Sequence, residues 1–205
     1  MRILLASTNP KKLAEFRLLL AGRGLEVVSP SDVGGIPDVA EDQPTFRANA
    51  AKKAVAAARA SGLWALADDS GLEVDALHGA PGVRSARFAG AHGDDAANNR
   101  LLLEKLKSVP MSKRGARFVC ALALARPDGT LACEVAASVH GRIMHAARGS
   151  NDFGYDPVFL FTEEGYAQSD LGFAEMTAEQ KAQVSHRGRA LRDLAQRLPK
   201  LLAAT

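Results

Sequence analysis

Two adjacent carboxylates, Asp68 and Asp69, interrupt an apolar stretch of the sequence that reads "LWALADDSGLE". Neighbouring like charges destabilise a fold unless a cation lies close to them. We interpret residues 63–67 as a buried strand, and ligands of open α/β sheets bind at the carboxyl ends of strands. Carboxylate oxygens suit Mg²⁺ bound together with phosphate. A solvated turn is the alternative, because Asp-Ser-Gly is also good turn chemistry, but the apolar lead-in favours a functional site.

Because successive side chains of an extended segment point to opposite faces, Asp68 and Asp69 are expected to have different roles.

The segment "STNPKK", residues 7–12, has residue types that suit a phosphate. It lies between a predicted strand and a predicted helix, with Asn9 as the N-cap and Pro10 in the first helical position. The first amides of a helix have no internal partners and the helix dipole is positive there, so an anion is favoured. Lys12 adds a full charge and Thr8 adds a donor. The P-loop spacing is absent, and an ordinary capped helix with solvated lysines is an equally open interpretation.

The start of the last predicted helix carries cations in an unfavourable place. His186 and Arg187 follow the predicted cap Ser185, so they lie in the first turn, where positive charge opposes the helix dipole. Local rules are broken most often at functional sites, and Lys181 lies close by in the sequence. Solvated basic residues, with a packed His186, are the alternative.

The segment "NDFGYDP", residues 151–157, places Phe153 and Tyr155 around a glycine. Aromatic faces stack on nucleobases, worth about 1–3 kcal/mol each. The alternative is a hydrophobic plug under a loop, at least for one of the rings.

Composition restricts the class of protein. The chain has 205 residues with 47% hydrophobic and 24% charged content, as in ordinary globular proteins. The net charge of +3 is too small to indicate nucleic-acid binding and suits an anionic small molecule equally well.

We find no signal peptide and no membrane span, so a cytoplasmic location is expected. Cys120 and Cys133 are predicted to be small core residues. None of four histidines has metal-ligand spacing: His78, His92, His140 and His145.

The hydrophobic periodicity predicts an α/β fold with a sheet that is partly antiparallel. A β-α-β unit opens the chain, and residues 71–90 read as mostly irregular. The signal Asp128-Gly129 indicates a hairpin between two strands. The predicted helices after the first are residues 45–60, residues 94–109, a short helix after the capping box of Thr177 and Gln180, and a final helix with core leucines at 191, 194, 198 and 201.

Four segments in this order, "ASTNPKKLAEF", "ADDSGLEVDALHGAPGVRSARFAG", "FGYDPVF" and "SHRGRAL", resemble the inosine/xanthosine triphosphate pyrophosphatase family over nearly the whole chain. The resemblance implies a mixed β-sheet flanked by helices, with two lobes around a central active-site cleft. It implies a single NTP pyrophosphatase domain over residues 1–205, and a homodimer that binds neither nucleic acid nor membrane. The implied reaction is Mg²⁺-dependent hydrolysis of ITP, dITP or XTP between the α and β phosphates.

The resemblance also assigns roles to residues. Asp69 is the expected catalytic carboxylate and, with Glu41, a metal ligand, although Gln43 stands where the family usually has a glycine. Ser70 is expected to touch the nucleotide. The triphosphate is expected to be gripped by Ser7, Thr8, Asn9, Pro10, Lys11 and Lys12. The base pocket is expected to be formed by Phe153, Gly154, Tyr155, Asp156, Lys181, His186 and Arg187.

Two other functions stay open from the sequence: a house-cleaning pyrophosphatase for other modified nucleotides, or a non-catalytic nucleotide-binding or nucleic-acid-binding protein. The aspartate pair speaks against the second, because acidic residues repel phosphate unless a metal intervenes. The segment around residues 162–172 is longer than in many relatives of this family, and the sequence assigns it no role.

Overall fold

A computed structural model describes residues 1–150 and 153–203, so the first two residues of the "NDFGYDP" segment lie outside the described residues. The chain divides into two compact units. Unit 1 consists of Met1–Asp69, Cys120–Ala137 and Arg187–Thr205, and unit 2 consists of Ser70–Val119 and Ser138–His186. The assignment of residues 1–205 to a single functional domain stays a prediction.

The described residues form six strands and five α-helices, joined by loops and short 3-10 helices. The strands are β1 (Arg2–Leu5), β2 (Glu26–Val28), β3 (Trp64–Val74), β4 (Gly115–Ala125), β5 (Leu131–Ile143) and β6 (Phe159–Phe161). The helices are α1 (Pro10–Leu20), α2 (Phe46–Ser61), α3 (Asp95–Lys105), α4 (Ala178–Val184) and α5 (His186–Ala203). Among the described helices, none is both long enough and apolar enough to cross a lipid bilayer.

All six strands belong to one sheet with the order β2-β1-β3-β4-β5-β6. Strand β1 runs parallel to both β2 and β3, whereas β5 runs antiparallel to β6. The parallel part follows from the β-α-β start, because a crossover helix returns the chain in the same direction. The predicted α/β class with a mixed sheet and helices is therefore confirmed.

The strand that carries the aspartate pair is longer than the sequence predicted. The prediction ended it at residue 67, but β3 continues to Val74, and Leu72 and Val74 are completely buried. The residues beyond the aspartates therefore keep the buried apolar character of a strand. Asp68 and Asp69 lie within β3 rather than in a turn, and the turn interpretation was wrong. Residues 71–90 are also less irregular than predicted, since 3-10 helices form at Asp75–Leu77 and Gly82–Arg87.

Unit 1 has its own hydrophobic core, formed by the strands, α1 and α5. Leu191, Leu194 and Leu198 are buried in it, as the predicted stripe of α5 requires, and Leu201 packs against it. The same core contains Cys120, where burial raises the pKa of the thiol. Both cysteines are free thiols, and Cys133 is only partly buried. The sequence therefore predicted this core well.

Unit 2 has a second core rich in aromatic rings. The ring centroids of Phe118 and Phe159 lie 4.6 Å apart, and those of Phe159 and Phe173 lie 4.8 Å apart. Tilted pairs at such distances are favourable because the positive edge of one ring meets the negative face of the other. Tyr155 and Val158 are buried in the same core.

Arg114 is a buried cation of unit 2. Its guanidinium donates hydrogen bonds to the backbone oxygens of Val109 at 2.9 Å, Met144 at 2.8 Å and Leu106 at 2.6 Å. Burial lowers the pKa of this guanidinium. The planar guanidinium of Arg114 thus links the end of α3 and the segment after it to the residue that follows β5.

Replacing Arg114 by lysine is expected to lower the free energy of unfolding by about 1–3 kcal/mol, because one ammonium cannot reach three carbonyls arranged for a fork. Urea denaturation measures the loss. Arg100→Lys, at an exposed position of α3, is the matched control and should stay within about 0.5 kcal/mol of wild type. Equal stability of the two variants would contradict the structural role of Arg114.

Candidate active site

The two aspartates of β3 have different partners in unit 1. The Asp68 carboxylate accepts a hydrogen bond from Lys12 Nζ at 3.0 Å and one from Arg187 Nη2 at 3.3 Å. The Asp69 carboxylate accepts one from Asn49 Nδ2 at 3.0 Å. The alternation of side chains along the strand accounts for this division.

Asp68 is the centre of a buried charge network. Its side chain is 1% exposed, and Arg187, 2% exposed at the side chain, also binds the carboxylate of Glu15 on α1. Burial alone would raise the pKa of Asp68, but Lys12 and Arg187 more than reverse this and hold the pKa well below its ordinary value of 3.8. Burial likewise disfavours the charged form of Arg187, yet Glu15 and Asp68 raise its pKa. Asp68 is therefore ionised at neutral pH and held in place by two cations.

Asp69 lies in a second cluster, with residues that precede β3 in the sequence. Lys53 Nζ lies 2.6 Å from Glu41 Oε1 and 3.4 Å from Asp69 Oδ1. Two carboxylates thus approach one ammonium. Burial raises the pKa of Asp69 and Glu41 adds to this effect, against the lowering influence of Lys53 and Asn49. A carboxylate with a raised pKa is a stronger base than an exposed aspartate.

Asn49 and Lys53 were not predicted as site residues, because residues 45–60 showed only the pattern of an alanine-rich helix. Both lie on α2, four residues apart, and therefore on one face of the helix. Asn49 is 1% exposed, and an amide buried so deeply in a run of alanines needs polar partners. Burial would lower the pKa of Lys53, but Asp69, Asp68 and Glu41 raise it. The polar residues at this four-residue spacing were the signal that could have revealed them.

The donor set around Asp69 fits a divalent cation. Glu41 and Asp69 bring oxygens to within hydrogen-bonding range of a single positive charge, and both are carboxylates, the ligand type that Mg²⁺ prefers. Within residues 1–150 and 153–203, no group of three or more His, Cys, Asp or Glu side chains is arranged to hold a metal by itself. Any metal here would therefore need ligands from a substrate or water, as is usual for Mg²⁺.

The start of α1 has the predicted cap. Asn9 Oδ1 accepts hydrogen bonds from the backbone N–H groups of Lys11 at 2.9 Å and Lys12 at 3.2 Å, and Pro10 begins the helix. Ser7 Oγ accepts from the backbone N–H of Asn9 at 3.2 Å. The asparagine therefore already satisfies two amides that the phosphate interpretation assigned to an anion.

The side chains of Thr8, Pro10 and Lys11 are exposed, and that of Lys12 is partly buried against Asp68.

Part of the predicted base pocket comes together in unit 2. Lys181 binds the carboxylate of Asp156, and its ammonium lies 5.2 Å from the ring centroid of Phe153. A cation over a ring face is attracted by the ring quadrupole. Asp156 is buried and Phe153 is partly exposed. These three residues form one polar and aromatic cluster.

Other predicted pocket residues have structural surroundings. Tyr155 is 4% exposed, and its hydroxyl donates to the backbone oxygen of Ser85 at 2.9 Å. Burial raises the pKa of this hydroxyl. His186 is 5% exposed and stacks on Phe118 with a centroid distance of 4.8 Å. Both rings belong to the packing of unit 2.

The structure thus distributes the predicted residues over the two units. Glu41 and Asp69 come together, as do Phe153, Asp156 and Lys181, and Arg187 forms ion pairs with Glu15 and Asp68. Ser70 follows Asp69 directly in β3 and is partly buried. Roles in binding and catalysis for all of these residues stay predictions.

The protein is thus of the α/β class, with a mixed sheet whose strand β3 carries two carboxylates paired with lysines. The chain belongs to the Ham1 family, whose model matches residues 3–197. This confirms the family resemblance found in the sequence.

Known relatives agree with this family. A dITP/XTP pyrophosphatase of Anaeromyxobacter dehalogenans is 48% identical, with 99% of this chain and 98% of the relative covered. The solved structure of a HAM1 protein from Coxiella burnetii has a TM-score of 0.85 at 38% identity, covering 98% and 99% of the two chains. That of a nucleoside-triphosphatase/dITP/XTP pyrophosphatase from Mycobacterium abscessus has a TM-score of 0.73 at 48% identity, covering 95% and 98%.

Proposed function

We propose that this chain is a hydrolase that converts the non-canonical purine nucleotides ITP, dITP and XTP to monophosphate and pyrophosphate. One observation carries the proposal: Glu41 and Asp69 converge on the ammonium of Lys53. In a member of the Ham1 family whose relatives are named dITP/XTP pyrophosphatases, this is a site for a cation and a polyphosphate. The reaction removes unusual purines from the nucleotide pool.

Glu41 and Asp69 are the residues that would hold Mg²⁺. When bound, Mg²⁺ supplies charge neutralisation for the phosphates and an acidified water. Lys53 contributes a further fixed positive charge beside the same carboxylates, since its pKa is raised. In this arrangement Asp68 serves as the counter-charge of Lys12 and Arg187, each of which binds one of its oxygens.

Asp69 orients the attacking water or removes its proton. The hydrogen bond from Asn49 at 3.0 Å fixes one carboxylate oxygen, so the other is held in a defined direction. A base positioned in this way contributes typically about 10²–10⁴-fold to the rate.

Lys12 stabilises the negative charge that develops on the leaving pyrophosphate. Asp68 holds its ammonium at 3.0 Å, and an ammonium has three donors, so this bond is compatible with a phosphate contact. The Asn9 cap satisfies the amides of Lys11 and Lys12. The contribution of the α1 start is therefore its dipole and the lysine charge.

Replacing Lys12 by alanine is expected to raise the KM for ITP by about tenfold or more with a smaller change in kcat, because a charge-assisted contact to phosphate is lost. Steady-state kinetics over a range of ITP concentrations measures both constants. Lys52→Ala is the matched control, because it removes the same charge from the exposed pair of Lys52 with Asp42. An unchanged KM and kcat in the Lys12 variant would contradict this role.

The cluster of Phe153, Asp156 and Lys181 is proposed to receive the base. Hypoxanthine and xanthine carry a 6-keto acceptor, whereas adenine has an amino donor there. A lysine N–H donor can bind the 6-keto oxygen of hypoxanthine or xanthine. It cannot bind the amino donor of adenine, and leaving that group unpaired costs about 1–3 kcal/mol when it is buried. His186 and Arg187 were the donors expected from the sequence. For Arg187 that role would require a change of partner, since it binds Glu15 and Asp68.

A homodimer in the cytoplasm without nucleic-acid partners is also proposed, on the family resemblance. Sedimentation of the purified chain tests the dimer.

The decisive experiment incubates the protein with ITP, XTP, GTP and ATP, with and without Mg²⁺, and identifies the products. Monophosphate and pyrophosphate from ITP and XTP, dependent on Mg²⁺, are the expected result. Orthophosphate and diphosphate would place the cleaved bond between the β and γ phosphates and refute the proposal. Binding of nucleotides without any turnover would instead indicate a non-catalytic protein.

A further inference from the structure

We propose that Asp95 and Asn99 of α3 are positioning residues that hold Phe153 in the orientation that receives the purine base. This inference rests on the proposed function, in which the loop around Phe153 forms the base pocket. The evidence for it is two hydrogen bonds between α3 side chains and Gly154, a residue of that loop. Gly154 was predicted from the family resemblance only as a member of the base pocket.

The helix binds both backbone groups of Gly154. The Gly154 N–H donates to Asp95 Oδ2 at 2.8 Å, and Asn99 Nδ2 donates to the Gly154 oxygen at 2.8 Å. Asp95 and Asn99 are four residues apart on α3, so they lie on one face of the helix. One face of α3 therefore binds both the backbone donor and the backbone acceptor of this loop residue.

These two bonds fix the peptide planes on either side of Gly154. Its N–H belongs to the peptide that starts at Phe153, and its oxygen belongs to the peptide that continues to Tyr155. Gly154 has a φ of 57°, a left-handed conformation in which glycine is favoured. Because neither peptide can rotate without losing a hydrogen bond, the peptide on the carboxyl side of Phe153 is held in one orientation, which restricts the directions open to its side chain.

The next residue of the loop is anchored as well. The hydroxyl of Tyr155 donates to the Ser85 oxygen at 2.9 Å, and Ser85 Oγ accepts from the Leu72 N–H at 2.9 Å. Tyr155 is thus a structural anchor in unit 2. The Phe153 oxygen accepts a hydrogen bond from the Asp156 N–H at 3.1 Å, and the ring centroid lies 5.2 Å from the Lys181 ammonium, so these contacts act on Phe153 together with the α3 bonds.

Substitutions distinguish the acceptor from the donor. Asp95→Asn keeps an oxygen that accepts from the Gly154 N–H, so it should behave nearly as wild type. Asn99→Asp replaces the donor by an acceptor that faces a carbonyl oxygen, and Asp95→Ala removes the acceptor. We expect these two variants to raise the KM for ITP by about tenfold or more with little change in kcat.

Two controls separate positioning from general destabilisation. Asp94 caps α3 through a hydrogen bond from the Ala97 N–H at 2.9 Å, whereas the Gly154 bonds are made by Asp95 and Asn99. Asp94→Ala should therefore lower the melting temperature without changing the KM. Inorganic tripolyphosphate has no base, so its inhibition constant should be the same for wild type, Asp95→Ala and Asn99→Asp.

The outcomes decide the proposal. A higher KM for ITP in Asp95→Ala and Asn99→Asp, with normal tripolyphosphate inhibition and with Asp95→Asn near wild type, supports it. A wild-type KM in both variants overturns it, and so does an equal loss in Asp94→Ala or an equal weakening of tripolyphosphate. Failure of the proposed function is separate, since wild type would then release no pyrophosphate from ITP.

Hydrogen exchange of wild type needs no variant. The Gly154 amide is expected to exchange much more slowly than an unbonded loop amide, and exchange at the unprotected rate would overturn the proposal.

Discussion

Replacing Asp69 by asparagine is expected to lower kcat for ITP by roughly 10²–10⁴-fold in a chain that still folds. Asparagine has the same shape, and its oxygen can still accept the hydrogen bond from Asn49. It cannot take a proton from water, and it is a much weaker ligand for a hard cation. Lys53 keeps Glu41 at 2.6 Å as its partner, so the unfolding free energy should stay within about 1 kcal/mol of wild type.

Pyrophosphate release measures this loss, and urea denaturation of the same preparation shows that the variant is folded. Asp193→Asn is the matched control, because Asp193 is an exposed carboxylate paired with Arg197. Its turnover should equal that of wild type. Full activity of the Asp69 variant would remove this carboxylate from the mechanism and leave Glu41 without its proposed role.

Local signals in the sequence were sufficient for most of the fold. The β-α-β start, the cap by Asn9 and the capping box of Thr177 and Gln180 all depend on residues close in the chain, and all are present. The limits of β3 were the main error. Two adjacent aspartates look like the end of a strand because their cations are distant in the sequence: Lys12 and Arg187 for Asp68, and Lys53 for Asp69.

The candidate site was predicted only in part, because its ion-pair partners are also distant from one another in the sequence. Asp69 and Glu41 were selected on a family resemblance, and the structure brings them together through Lys53, which was not selected. No local pattern pairs a lysine on α2 with carboxylates that lie twelve residues before it and sixteen after it. Arg187 was correctly identified from the sequence as a cation in the first turn of a helix, where positive charge opposes the helix dipole. Its contacts with Glu15 and Asp68 account for a cation at that position, and its role in base binding stays a prediction.

Replacing Asp68 by asparagine, one position away from the catalytic candidate, is expected to lower the free energy of unfolding by about 3–5 kcal/mol. The carboxylate is 1% exposed at the side chain and binds two cations, so its removal leaves Lys12 and Arg187 without their shared counter-charge. Breaking one partner of a buried ion pair is strongly destabilising because the remaining charge is desolvated without compensation. The neighbouring Asp69→Asn variant should lack this effect.

The loss should depend on pH in a defined direction. Because the folded-state pKa of Asp68 lies below its ordinary value of 3.8, ionised Asp68 stabilises the fold fully above the unfolded-state pKa. This stabilisation disappears as the pH falls toward the folded-state pKa. The difference in unfolding free energy between wild type and Asp68→Asn should therefore be constant above about pH 5 and shrink in more acidic solution.

Urea denaturation without added metal, repeated across this pH range, tests the role of Asp68. Asp193→Asn, which breaks an exposed aspartate–arginine pair, should lose only about 0.2–1 kcal/mol under the same conditions. If Asp68→Asn lost no more than this control at neutral pH, the buried network would not stabilise unit 1. Asp68 would then be open to a direct role in metal binding beside Asp69.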